Sequence, residues 1–162
     1  MTASETGPAA VSSGTDDVEG LVSIRVGSQT FGVPVLKVQD VIAQTTINRV
    51  PLAPPEVAGS LNLRGRIVTA VDMRLRLRMA PREADEGFMC VIVERGGELY
   101  ALLVDDVGDV LWLSPETRET PPVTLSNRWQ SVCTGLYLLE TELLIVMDID
   151  QVLTLAPVPV AA

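Results

Sequence analysis

Apolar and polar residues alternate with a period of two along much of this chain, and turn-forming residues interrupt the alternation at short intervals. Such a pattern predicts strands joined as hairpins. Residues 21–26 and 29–33 flank Gly27-Ser28, and Pro34 ends the second strand or keeps it at a sheet edge. Residues 61–64 and 66–71 flank Gly65, which can take the positive φ of a tight reversal. Residues 88–94 and 98–104 flank Arg95-Gly96-Gly97, residues 107–113 follow the Asp105-Asp106 break, and 132–139 with 143–146 flank Glu140-Thr141-Glu142. The turn spacing, roughly eight to twelve residues, predicts an all-β fold, a barrel or sandwich of about nine or ten strands, over a parallel sheet with crossover helices.

Helical signals are few. Val35, Val38, Val41 and Ile42 recur at three- and four-residue spacing, which predicts one or two helical turns with Lys37 and Asp40 off the buried side. Residues 56–60 are compatible with a single turn, and Asp148 can cap a terminal helix containing Ile149, Val152, Leu153 and Leu155. Residues 48–55 hold three prolines and read as an extended connector. Residues 80–87 read as an exposed loop dividing the chain into halves of similar strand content, and 114–124 as irregular. Residues 1–20 carry no apolar period and are expected to be a disordered tail, leaving 21–156 as the folded domain and 157–162 as a short C-terminal tail.

Composition narrows the partners. A chain of 162 residues suits one domain, or two small subdomains sharing a core, and with 4% aromatics that core must be Val, Leu and Ile. A net charge of -9 argues against nucleic acid, whose phosphates need a basic surface. The local exception is the series Arg74, Arg76, Arg78 and Arg82, which holds Leu75, Leu77 and Met79 in strict alternation and reads as a solvated face over a half-buried segment, or else a face for an acidic protein. No apolar run approaches the roughly 18 residues of a membrane span, and no signal-peptide pattern opens the chain, so a cytoplasmic protein is expected. Cys90 and Cys133 lack ligand spacing and read as small buried hydrophobes.

The chain has no histidine, which removes Ser-His-Asp and Cys-His catalysis and histidine metal sites together. The remaining candidates are the Asp105-Asp106 and Asp148/Asp150 pairs. Converging in one pocket they would suit a small carboxylate-dependent hydrolase or cation-binding protein; apart, they suit a turn and a helix cap. No phosphate-binding glycine motif occurs, and no catalytic residue, cofactor or metal site is assigned.

The string Asn62-Leu63-Arg64-Gly65-Arg66-Ile67-Val68-Thr69-Ala70-Val71-Asp72-Met73-Arg74 closely resembles the NLRG-x-IV-x-x-VD-x-R segment of the CheW family of chemosensory adaptors. Val38-Gln39-Asp40-Val41-Ile42, residues 103–110, Thr134-Gly135-Leu136 and Asp148-Ile149-Asp150 resemble further family segments, so the likeness runs from Leu21 to about Leu155. It implies two packed five-stranded, SH3-like β-barrels. It also implies a non-enzymatic adaptor coupling methyl-accepting chemoreceptors to a CheA-type histidine kinase in an array, for chemotaxis or for twitching or gliding motility. The cleft between barrels would receive the receptor's cytoplasmic tip, and the barrel ends the kinase regulatory domain. Carried over residue by residue, the partner-binding candidates are Val38, Asp40, Gly59, Arg64, Val107 and Val110, with an Arg64–Asp40 ion pair shaping the rim. Each has a rival reading: the valines are core by default, and Gly59 is first a backbone-geometry residue. Asp72 is expected to bond adjacent backbone, and Trp112 and Trp129 are core anchors or interaction hot spots.

Overall fold

The computed structural model describes residues 18–83, 85–120 and 127–154. The first run of elements is β1 (Glu19–Val26), β2 (Gln29–Pro34), β3 (Val38–Ala43), β4 (Val57–Leu63), β5 (Arg66–Asp72) and α1 (Met73–Arg76). A second run follows as β6 (Met89–Arg95), β7 (Glu98–Val104), β8 (Asp106–Leu113), α2 (Asn127–Gln130), β9 (Cys133–Leu138), β10 (Leu143–Met147) and α3 (Ile149–Val152). The strands form two five-stranded sheets, in the orders β8-β1-β2-β10-β9 and β3-β6-β7-β5-β4, each curled as an SH3-like barrel.

The two runs are structural repeats. Both opening hairpins turn on a positive-φ glycine, Gly27 (φ 63) and Gly96 (φ 60). A bulge follows Val38 in β3 and Val107 in β8. Gly59 pairs with Ala70 beside a second bulge, as Gly135 pairs with Val146. The bridge between Asn48 and Ser60 matches the one between Glu119 and Leu136. Asp72 and Asp148 each cap the short helix that follows, accepting from its freed N–H groups. The repeats are interleaved, not side by side: β3 leaves its hairpin to pair with β6, and β8 leaves its own to pair with β1. The expected division into two halves at residues 80–87 therefore does not coincide with the two barrels.

Interleaving creates three cores. Leu61, Val68, Ala70, Cys90, Ile92, Ala101 and Leu103 fill one barrel; Leu21, Tyr137, Leu144 and Val146 fill the other. Between the barrels lies the largest cluster, including Val22, Ile24, Phe31, Val91, Val93, Leu102 and Ile145. Adjacent residues of one strand thus face different cores, as Cys90 and Ile92 face the barrel while Val91 and Val93 face the partner barrel. Both faces of β6, β7 and β10 are buried, so these strands read as continuous apolar runs. Trp129 is a core anchor: its ring meets Phe31 edge-on at 5.6 Å and its N–H donates to the Leu77 carbonyl at 3.0 Å.

Three local expectations are corrected. Only Val35–Lys37 makes a helical turn, of 3-10 type, and Val38–Ala43 is a strand. The bulge between Val38 and Asp40 inserts one residue, which puts Val38 and Val41 on the same strand face at the three-residue spacing that mimics a helix. Residues 56–60 are not a turn of helix: Val57 opens β4, because cross-strand pairing to β5 and the Asn48 bridge hold this segment extended. The arginine series is not a solvated face, since Asp72 caps α1 and breaks the alternation. Arg74 and Arg82 are 14% and 8% exposed, and Arg76 donates to the carbonyls of Val152 and Gln151. β1 begins at Glu19, inside the expected tail; residues 1–17, residues 121–124 of the expected irregular segment, Leu155 and the C-terminal tail lie outside the described residues.

Asp105 stands where the chain crosses from β7 to β8 and bonds to both barrels. Its carboxylate accepts from Gly27 N–H at 2.7 Å, Arg74 Nη2 at 2.8 Å and Arg82 Nη2 at 2.8 Å. Arg82 also lies over the Phe88 ring, 5.7 Å from its centroid. Burial pushes the Asp105 carboxyl up, but the Arg74, Arg82 and Gly27 bonds outweigh it and hold the pKa below its ordinary value. Gly59 closes the other critical junction: at φ 148 it lies against the Asn48 backbone, where a Cβ would strike the Asn48 carbonyl.

Asp105→Asn is expected to lower the unfolding free energy by roughly 2–3 kcal/mol at pH 7. Because the folded pKa is depressed, the carboxylate's contribution is present above about pH 4 and is lost as pH falls through the folded value. The gap between variant and wild type in urea unfolding should therefore close in acid, and a gap independent of pH would assign the effect to packing. Gly59→Ala should cost about 2–4 kcal/mol, from clash plus strain. Gly65→Ala, where a Cβ meets open space, should cost only about 1–2 kcal/mol, from φ alone, with urea unfolding of both variants as the measurement.

Candidate partner-binding surfaces

With both faces of the central strands buried, reactive or adhesive side chains are left at turns, edges and barrel mouths. The β4–β5 turn is a two-residue reversal with both central residues left-handed, Arg64 at φ 51 and Gly65 at φ 85. Asn62 Oδ1 accepts from Gly65 N–H at 3.0 Å and steadies it. The turn presents Arg64 to solvent, where its Nη2 reaches Asp40 Oδ2 at 2.8 Å. That bond, then one from the Val41 N–H, holds the Asp40 carboxyl below its usual value. The rim ion pair expected between Arg64 and Asp40 therefore forms. Behind it lies an open cavity of about 190 Å³, bordered by Gln39, Asp40, Leu63, Arg64, Arg66 and Leu99.

The six carried-over residues do not form one patch. Asp40 and Arg64 meet at the second barrel's mouth, linking edge strand β3 to the hairpin at the opposite edge of its sheet. Val38 is half-buried against the shared core, and Gly59 is buried. Val107 and Val110 lie on β8, an edge strand of the other barrel, Val107 against the shared core and Val110 40% exposed. By the repeat they are the counterparts of Val38 and Val41.

Sequence reasoning passed over several exposed apolar residues, among them Leu36 at 92%, Leu52 at 86%, Ile67 at 71% and Leu138 at 67%. Strand alternation could have found Ile67, since its neighbour Val68 faces inward. Trp112 is not a core anchor. Leu111 and Leu113 face the barrel core, which turns the indole outward at 61% exposure, lying over Gly20. Gly135 and Thr134 serve Arg118: its guanidinium donates to the Thr134 hydroxyl and occupies the space a side chain at 135 would need.

The acidic pairs do not converge. Asp105 is engaged by two arginines, Asp106 accepts from the Val107 N–H, Asp148 caps α3, and Asp150 lies 3.7 Å from Arg95. Among the described residues no group of three or more His, Cys, Asp or Glu could hold a metal ion, so the pocket required by the hydrolase or cation reading is not formed. Burial pushes the Cys90 thiol up to about 11, in keeping with a small core residue, while Cys133 is half-buried. No described helix is long and apolar enough to cross a membrane.

The family model of the CheW-like domain matches residues 20–156. The chain is 31% identical over 132 residues to the chemotaxis protein CheW of Klebsiella aerogenes, covering 80% of this chain and 78% of that protein. It is 30% identical to that of Rhizobium meliloti, covering 82% and 85%. The crystal structure of the scaffolding protein TtCheW from Thermoanaerobacter tengcongensis superposes with a TM-score of 0.73 at 23% identity, covering 81% of this chain and 89% of that one. Two interleaved barrels, a rim ion pair in the Asn-Leu-Arg-Gly turn and a match along nearly the whole described fold place this chain in the CheW family of chemotaxis scaffold proteins.

Proposed function

We propose that this protein is a cytoplasmic, non-enzymatic adaptor that couples chemoreceptors to a CheA-type histidine kinase within a chemosensory array. The observation that carries the reading is the exposed Asp40–Arg64 pair on a rigid barrel mouth. An exposed ion pair contributes little to folding, so its value lies in presenting a charged, geometrically fixed rim to a protein partner. Residues 21–156 form the docking unit. The mouth of the second barrel, with Asp40 and Arg64, meets the kinase regulatory domain or the receptor tip. Val38, Val107 and Val110 supply half-exposed apolar contact along the two edge strands, and Gly59 acts through the backbone it lets close. Each contact can be weak, because fixed neighbours in an array raise the effective concentration for the next.

The charge and the turn at position 64 can be separated. Arg64→Glu should weaken binding to the regulatory domain of a CheA-type kinase, or to a receptor-tip fragment, by about tenfold or more in a calorimetric titration. Arg64→Asn suits the left-handed turn better than arginine and should weaken binding while changing the unfolding free energy by less than about 1 kcal/mol. Lost cooperative unfolding in either variant would make Arg64 a folding residue, and unchanged binding in both would remove this rim from the interface.

A further inference from the structure

The likeness between the two repeats continues past their closing helices. Leu77 and Leu153 end α1 and α3 in the same way, at φ -92 and φ -88, each N–H turned back on the first and third carbonyls of its helix. Arg78 N–H then bonds to the Leu75 carbonyl at 3.1 Å, as Thr154 N–H bonds to that of Gln151 at 3.1 Å. Counted on from the capping aspartates, Ala80-Pro81 follows Asp72 at the same spacing as Ala156-Pro157 follows Asp148. This register pairs Met79 with Leu155 and Arg82 with Val158.

After α1 the chain runs back onto the β7–β8 crossing. Met79 lies against the β1–β2 turn, where a Cβ at Gly27 would meet its sulfur at 2.9 Å, and Arg82 ends 2.8 Å from the Asp105 carboxylate. At the β2–β3 crossing the point equivalent to Asp105 is Leu36, a match fixed by the bulges that follow Val38 and Val107. Leu36 is 92% exposed, and among the described residues no atom lies within 4 Å of a Cβ placed at Gly96, the counterpart of Gly27. Arg74, the other arginine on Asp105, is matched by Asp150, which faces Arg95 at 3.7 Å. Where one crossing holds an arginine on a carboxylate, the sequence supplies for the other a valine and a leucine. The exchange is made on both sides at once, as a contact requires, since a charge set against an apolar partner would lose hydration without compensation.

We propose that residues 155–158 fold back over the β2–β3 crossing and that Val158 packs on Leu36, an apolar clasp in place of the ionic one formed by Arg82 and Asp105. Val158 stands as far beyond Thr154 as Arg82 stands beyond Arg78, so the reach is the same. The stretch Leu155-Ala156-Pro157-Val158 has no charge to desolvate, and Pro157 biases Ala156 toward extended backbone, which lowers the cost of ordering the strap. The clasp anchors the start of β3, the strand that carries Val38 and Asp40, and it forms whether or not that rim binds a kinase.

The full chain with Leu36→Cys and Val158→Cys, in a Cys133→Ser background, tests the contact in oxidised glutathione. A disulfide within one chain should form about tenfold faster or more than in the companion chain with Leu36→Cys and Ala162→Cys, because docking raises the effective concentration of the first pair alone. Hydrogen–deuterium exchange reads the same contact without new thiols. Val158→Asp should speed exchange of the Val38 N–H, which bonds to the Val35 carbonyl, by about tenfold or more. Leu36→Asp together with Val158→Arg should restore the slow rate, because the two rebuild the ionic pair of the other crossing. Equal disulfide rates in the two cysteine chains, a disulfide that joins two copies, Val38 exchange unmoved by Val158→Asp, or no recovery in the double variant would each overturn the proposal.

Discussion

The apolar layer between the two barrels is the constraint from which the rest of this molecule follows. Val22, Ile24, Phe31, Val91, Val93, Leu102 and Ile145 meet there, while the alternate residues of the same strands fill the barrels on either side. Strands buried on both faces have no room for polar side chains, since an unpaired polar group in such a place costs free energy. Charged and exposed apolar side chains are thereby displaced to hairpin tips, edge strands and barrel mouths, where Arg64, Asp40 and Trp112 are found.

Interleaving makes that layer hard to open. Because the chain passes from one barrel to the other through the short β2–β3 and β7–β8 connections, separating the barrels would strain both crossings as well as break apolar contact. Asp105 reinforces one crossing by tying the β1–β2 turn to α1 and to Arg82. At the equivalent point of the other crossing stands Leu36, nearly fully exposed, so the two crossings share geometry and differ in chemistry. A scaffold benefits from this rigidity, because binding surfaces held in fixed relation lose little freedom when a second partner is engaged.

Several family positions acquire a physical meaning from their surroundings. Gly59 admits the Asn48 carbonyl, Gly135 admits the Arg118 guanidinium, and Asp72 caps α1. Hairpins and caps were legible in the chain because their signals are local: a glycine between two alternating runs, or an aspartate before a helical turn. The strand at Val38–Ala43 was not, because its bulge shifts the apolar spacing from two to three. Arg82 was hidden for the opposite reason. Its neighbours look like loop, and its burial depends on Asp105 and Phe88, both distant from the loop's apparent solvent-facing role.

Taken alone, the order of residues determined that the chain would be all-β, where most hairpins turn, and which motif-bearing turn would carry Arg64. These follow from backbone preference and side-chain period, which act over a few residues. Only the tertiary structure decided which strands share a barrel, that the halves interleave, and that Trp112 faces out while Trp129 faces in. Those outcomes depend on pairing between segments far apart in the chain, where register and burial are set by the whole apolar layer and not by any residue's neighbours.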